Sequence, residues 1–133
     1  YFYQFKGDIC VQTIEDGRIV NHVIREGETF FIPANVPHAP QRGPDTIGIV
    51  VERNRPPGET EHQQFYCPNC HELVWNKEFD CKDIVEHFSA SMESFWADDE
   101  RATCSNCKTR IMKPAPVARI ETEPDVRVIR EGE

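Results

Sequence analysis

Four of the six cysteines fall in two C-x-x-C pairs, Cys67-Pro68-Asn69-Cys70 and Cys104-Ser105-Asn106-Cys107. Each such turn curls so that both sulfurs face one point, and two turns together bring four thiolates to the corners of a tetrahedron. Tetrahedral sulfur selects zinc or iron. A closed four-sulfur set leaves no position for a substrate, so this site is expected to be structural. The bland alternative is four ordinary buried or redox cysteines. The pattern suits a reducing compartment better than a disulfide scaffold does, and a cytoplasmic location is expected. Residues 71–103 exceed what a minimal zinc ribbon needs, and a helix over 80–97 accounts for the excess. There Ile84, Val85, Phe88, Met92, Phe95 and Trp96 recur at steps of three and four. Asp80 or Asp83 is the candidate cap. Cys10 and Cys81 lack partners at motif spacing and read as small core residues.

The second landmark is Gly27 to Arg42, GETFFIPANVPHAPQR. A glycine-led turn enters a short apolar strand, Phe30-Phe31-Ile32, which Pro33 stops. Pro37-His38-Ala39-Pro40 then presents one histidine between two prolines. Proline fixes its own φ and pushes the preceding residue into extended geometry, so His38 loses little entropy on binding. Residues 1–52 read as β throughout. Ile9, Val11 and Thr13 share one face of a strand, and Cys10, Gln12 and Ile14 share the other. Asp16-Gly17 is a hairpin signal, and Thr46 to Glu52 is rich in β-branched residues. Short strands between frequent turns predict a β-sandwich or barrel. Arg53 to Glu61 is polar and carries Pro-Pro-Gly, which reads as a connector. The organisation expected is therefore a β-barrel portion over 1–55, a linker over 56–66, a four-cysteine module over 67–113, and an extended, partly ordered tail over 114–133.

A net charge of −8 and a pI near 5.1 argue against nucleic acid or an anionic membrane as partner. No apolar run is long enough for a membrane span. The chain opens YFYQFKGD, with neither a basic nor an apolar leader, inside a strand-like run. A missing N-terminal segment is the expectation.

The spacing of Gly27, Pro33 and His38 is that of the second cupin motif. The longer pattern is YFYQFKGD, then PHAPQR, then TIGIVVERNRPPGE, then a helix flanked by two C-x-x-C pairs. It resembles the 3-hydroxyanthranilate 3,4-dioxygenase family, in the fungal and bacterial form with a rubredoxin-like site. The resemblance covers about residues 1 to 113. It implies a mainly β fold: a cupin barrel (double-stranded β-helix, or jelly roll), here incomplete at its N-terminus, with a small four-cysteine module and one helix. It also implies a non-heme enzyme in which His38 is one ligand of a catalytic Fe(2+). Arg42 stands where the general motif carries asparagine, and would anchor the substrate carboxylate. Glu52 would accept a hydrogen bond from the ring amino group. Cys67, Cys70, Cys104 and Cys107 would hold a second ion, Fe or Zn. The partners implied are a small aromatic substrate and O2, with a homodimer as the usual assembly. The product implied, 2-amino-3-carboxymuconate semialdehyde, closes to quinolinate, a precursor of NAD.

The first cupin motif sets its glutamate a fixed distance before a glycine, and counted back from Gly7 that place falls just before Tyr1. The other iron ligands and an upstream arginine are thus expected outside this chain, which alone should bind iron weakly and turn over little. A non-enzymatic cupin, as metal-binding sensor or ligand-binding module, is the competing reading. A zinc-ribbon adaptor on a β scaffold is the third. Without the resemblance, Arg42 and Glu52 would more often be a surface ion pair. His22, His62 and His87 are expected to be bland, and so is His71, although it could also support the sulfur site.

Overall fold

The computed structural model describes residues 1–133, which divide into a unit formed by Tyr1–Arg53 with Pro114–Glu133 and a unit formed by Asn54–Lys113. In the first unit, β1 (Phe2–Lys6) lies between β4 (Thr29–Phe30) and β6 (Ile47–Val50). Likewise β2 (Ile9–Glu15) lies between β3 (Arg18–Ile24) and β5 (His38–Gln41). All these pairings are antiparallel. After the β2–β3 hairpin the chain alternates between the two sheets, as a jelly-roll path requires. Phe2, Ile9, Val11 and Ile24 form the buried core, with Phe30 and Ile32 packed against it. The face of β2 expected to turn inward does so, with Ile9 and Val11 fully buried and Thr13 nearly so. Cys10 on the other face is fully buried too, and the alternation shows only from Val11 onward. Asp16 and Gly17 both have positive φ, 50° and 72°, which is the tight turn that Asp-Gly favours between paired Glu15 and Arg18. Pro40 lies in β5, an edge strand, where its missing N–H leaves no ladder bond unmade.

The second unit pairs β7 (Glu61–Tyr66) with β8 (Leu73–Phe79) and adds the helix α1 (Ile84–Trp96). Its centre is aromatic. Phe65 stacks on Phe95 at 3.9 Å between centroids and 10° between planes, with Trp75 at 5.5 Å from Phe95 and Trp96 edge-on to Phe65. Ala102 and Ile111 complete this core.

Three expected boundaries move. The linker proposed over 56–66 contains β7, whose inward Gln63 is polar and hid the strand signal. The helix begins at Ile84, with Asp83 in extended geometry accepting the Glu86 N–H at 2.9 Å as N-cap. Asp80 and the Cys81 carbonyl are held instead by Arg55. Ile84 and Val85 are 67% and 75% exposed, so the buried stripe runs through Ser91 and Phe95. Finally, 114–133 folds as a hairpin of β9 (Val117–Glu121) and β10 (Arg127–Arg130) within the first unit. Asn21 donates to the Val126 carbonyl at 3.3 Å, Arg130 donates to Gln41 Oε1 at 2.9 Å, and Ile129 is buried. These partners are distant in sequence, and no local pattern announces them.

Candidate metal centre and ligand site

The four sulfurs of Cys67, Cys70, Cys104 and Cys107 lie within 4.8 Å of one another. Cys67 and Cys107 are 3.5 Å apart, and Cys70 and Cys104 3.6 Å. A regular tetrahedron with metal–sulfur bonds of about 2.3 Å has edges of about 3.8 Å, so the set fits one ion. The two knuckles repeat one backbone design. Cys67 N–H donates to the Glu72 carbonyl and His71 N–H to that of Cys67; Cys104 N–H donates to the Thr109 carbonyl and Lys108 N–H to that of Cys104. Closing each knuckle puts His71 and Lys108 at φ of 67° and 62°, in the left-handed region usually given to glycine. His71 thus supports the site through its backbone. The Thr109 hydroxyl, 3.1 Å from Cys107 Sγ, and then the Asn69 side chain pull the Cys107 thiol down to about 5. The Asn106 side chain and the Glu72 backbone lower that of Cys70. Thiolate, the metal-binding form, is therefore favoured at Cys107 and Cys70, whereas burial and the neighbouring Cys70 and Cys107 thiols push the Cys104 thiol up.

Cys10 differs. It is fully buried in β2, and burial pushes its thiol up to about 11, which suits the core residue expected there.

In the first unit, β5 starts at His38, which pairs with Thr13 of β2 and meets Phe2 edge-on at 6.3 Å. Its Nδ1 lies 2.9 Å from the Val36 carbonyl. A carbonyl only accepts, so Nδ1 is the donor here, and in the neutral ring Nε2 is then the nitrogen that carries the lone pair. The ring is exposed, which leaves that lone pair open to an ion. Arg42 follows directly after β5 and is half-buried, its Nη1 donating to Gln4 Oε1 at 3.1 Å. It forms no ion pair, with Glu52 or any other carboxylate, so the surface-pair reading of these two residues is wrong. Glu52 is exposed just past β6, next to Val51, whose N–H donates to the Tyr1 carbonyl. An open cleft of ≈ 360 Å³ near Asp8, Asp45 and Arg119 includes none of His38, Arg42 and Glu52.

Two histidines expected to be bland have defined local jobs. His87 Nδ1 accepts the N–H groups of Lys82 and Asp83 at 3.2 and 3.4 Å, at the start of α1. His22 Nε2 lies 2.7 Å from Glu15, whose carboxylate also accepts the Thr13 hydroxyl at 2.7 Å. Sequence reasoning missed Gln4, which is buried at 1% exposure and carries no motif. Only its position in β1, opposite β6, would have pointed to it.

The model of the family described as 3-hydroxyanthranilic acid dioxygenase matches residues 1–96. The 3-hydroxyanthranilate 3,4-dioxygenase of Meyerozyma guilliermondii is 44% identical over 104 residues, 78% of this chain and 62% of that protein. The proteins of that name from Neurospora crassa and Candida albicans are 39% and 41% identical over 107 and 109 residues. These alignments cover 80% and 82% of this chain and 59% and 64% of the two relatives. The chain thus spans about three fifths of the length of the relatives it matches.

Proposed function

The chain belongs to the 3-hydroxyanthranilic acid dioxygenase family, and on that premise we propose that its barrel unit carries part of a ring-cleaving site for 3-hydroxyanthranilate and O2. The observation that carries the reading is the half-buried guanidinium of Arg42. It has no carboxylate partner and lies one residue beyond the strand that bears His38. A cation held this way attracts an anionic ligand, and a guanidinium can grip a carboxylate with two parallel hydrogen bonds.

In this reading Arg42 orients the substrate by its carboxylate. His38 would hold an iron ion through Nε2, the tautomer being set by the Val36 carbonyl. Ferrous iron, when bound, supplies the electron transfer that lets O2 react with an aromatic ring. Glu52 takes a hydrogen bond from the ring amino group and can hold a proton there. Both atoms of O2 remain in the product, 2-amino-3-carboxymuconate semialdehyde, which loses water as it closes to quinolinate. The four-cysteine site holds a second ion, iron or zinc, and has no part in the chemistry. No helix is long and apolar enough to cross a membrane.

Metal analysis of the full-length protein tests the assignment. His38→Ala should lower iron content and oxygen uptake with 3-hydroxyanthranilate, and leave the sulfur-bound ion in place. Cys104→Ser should do the reverse to the metals. Unchanged iron in the His38→Ala protein would remove His38 from the ligand set.

A further inference from the structure

We propose that Gln4 and Gly48 are positioning residues that set the guanidinium of Arg42 and keep its charge uncompensated for the ligand's carboxylate. The inference rests on the reading of Arg42 given above and extends it to residues on two other strands.

Gln4 in β1 and Gly48 in β6 face each other across the sheet, beside a register shift between Gln4 and Lys6. Gln4 is 1% exposed. Its Nε2 donates to the Lys6 carbonyl at 2.9 Å, and its Oε1 accepts from Arg42 Nη1 at 3.1 Å. The amide orientation follows from these partners: a carbonyl cannot donate, and a guanidinium cannot accept. The buried amide therefore points a fixed acceptor at Arg42.

A neutral acceptor matters here. A carboxylate at the same place would compensate the guanidinium and weaken its pull on an incoming anion. An amide fixes the direction and leaves the charge. One N–H of Arg42 is engaged by Gln4, and a guanidinium has five, so a bidentate face remains for a ligand.

Gly48 supplies room. Its φ is not in the left-handed region, so backbone freedom does not account for it. A Cβ there would lie 2.4 Å from Gln4 Oε1, 2.8 Å from Arg42 Nη1 and 3.2 Å from Nη2. Glycine weakens a strand, and here the missing side chain is the space the Gln4–Arg42 pair occupies. Any larger residue must displace Gln4 Oε1, the Arg42 guanidinium or both from this arrangement.

The test compares two ligands in the full-length protein under anaerobic calorimetry: 3-hydroxyanthranilate and 2-aminophenol, the same ring without the carboxylate. Wild-type protein should prefer the carboxylated ring, and Arg42→Ala should lose that preference. Gln4→Glu and Gly48→Ala should each lower the affinity ratio by about tenfold or more, with aminophenol binding retained. Damage to the fold would weaken both ligands alike. If Gln4→Glu does not fold, Gly48→Ala, which deletes no hydrogen-bonding group, decides alone. Should Arg42→Ala abolish the preference while Gln4→Glu and Gly48→Ala keep it, the inference falls and the reading of Arg42 stands. A wild-type protein without the preference would overturn both.

Discussion

The two units solve the problem of a small core in different ways. The barrel unit buries aliphatic side chains between two sheets, Ile9, Val11 and Ile24 against Phe2. The cysteine unit has few aliphatic residues inside. It relies on a stack of Phe65, Phe95 and Trp75 and on four sulfurs gathered at one point. Apolar burial suffices when enough area leaves water, but a short hairpin and one helix bury little, and an ion held by the four sulfurs would make up the difference. The comparison also separates functions. The sulfur site is complete within its own unit, and every ligand position is filled by cysteine. In the function proposed above, the barrel unit presents single groups, His38 and Arg42, that a ligand or further residues would complete.

Because both tryptophans, Trp75 and Trp96, lie in the cysteine unit, tryptophan fluorescence reads that unit alone. The largest expected effect is metal removal. Structural zinc sites contribute about 10 kcal/mol or more to folding, so chelation should unfold the cysteine unit. Fluorescence should report the loss while the β signal of the barrel persists in circular dichroism; joint unfolding would break the contrast. Next, Phe95→Ala empties the centre of the aromatic stack and should cost about 3–5 kcal/mol. Denaturation followed by fluorescence should show this shift, whereas Ile9→Ala should shift only the β-sheet transition. A smaller effect is expected from Asp83→Ala, about 1 kcal/mol from the lost N-cap, visible as a lower fluorescence midpoint.

The smallest concerns acid. The Thr13 hydroxyl, then His22, hold the Glu15 carboxyl below the usual carboxylate range. A depressed carboxyl stabilises the folded state above its ordinary pKa, and the contribution is lost as pH falls through the lowered value. Glu15→Gln should therefore flatten the acid limb of the barrel's stability and leave that of the cysteine unit unchanged.

The four-sulfur cluster was legible because its signals are local. C-x-x-C places two sulfurs by its own turn geometry, and the repeat of that turn brings the second pair to the same point. Proline-flanked His38 is held by neighbours in sequence, and the carbonyl that sets its tautomer belongs to Val36. Asp-Gly announced its hairpin for the same reason. Less legible was the start of α1, where Ile84 and Val85 continue an apolar period that packing does not use. The tail hairpin was illegible, because its anchors on Asn21 and Gln41 lie far up the chain.

The sequence by itself determined which residues could bind a metal or an anion, since thiolate, imidazole and guanidinium chemistry resides in the side chain. It determined the β character of the first unit as well, through alternation and turn residues. What only the tertiary structure decided is the state of those groups. Arg42 lacks an ion pair because the strand opposite offers Gln4 and the strand beside that offers no side chain at Gly48. Three residues from separate stretches meet there, and a neutral amide and a glycine carry no signal in one dimension. Their effect exists only once antiparallel register sets them side by side.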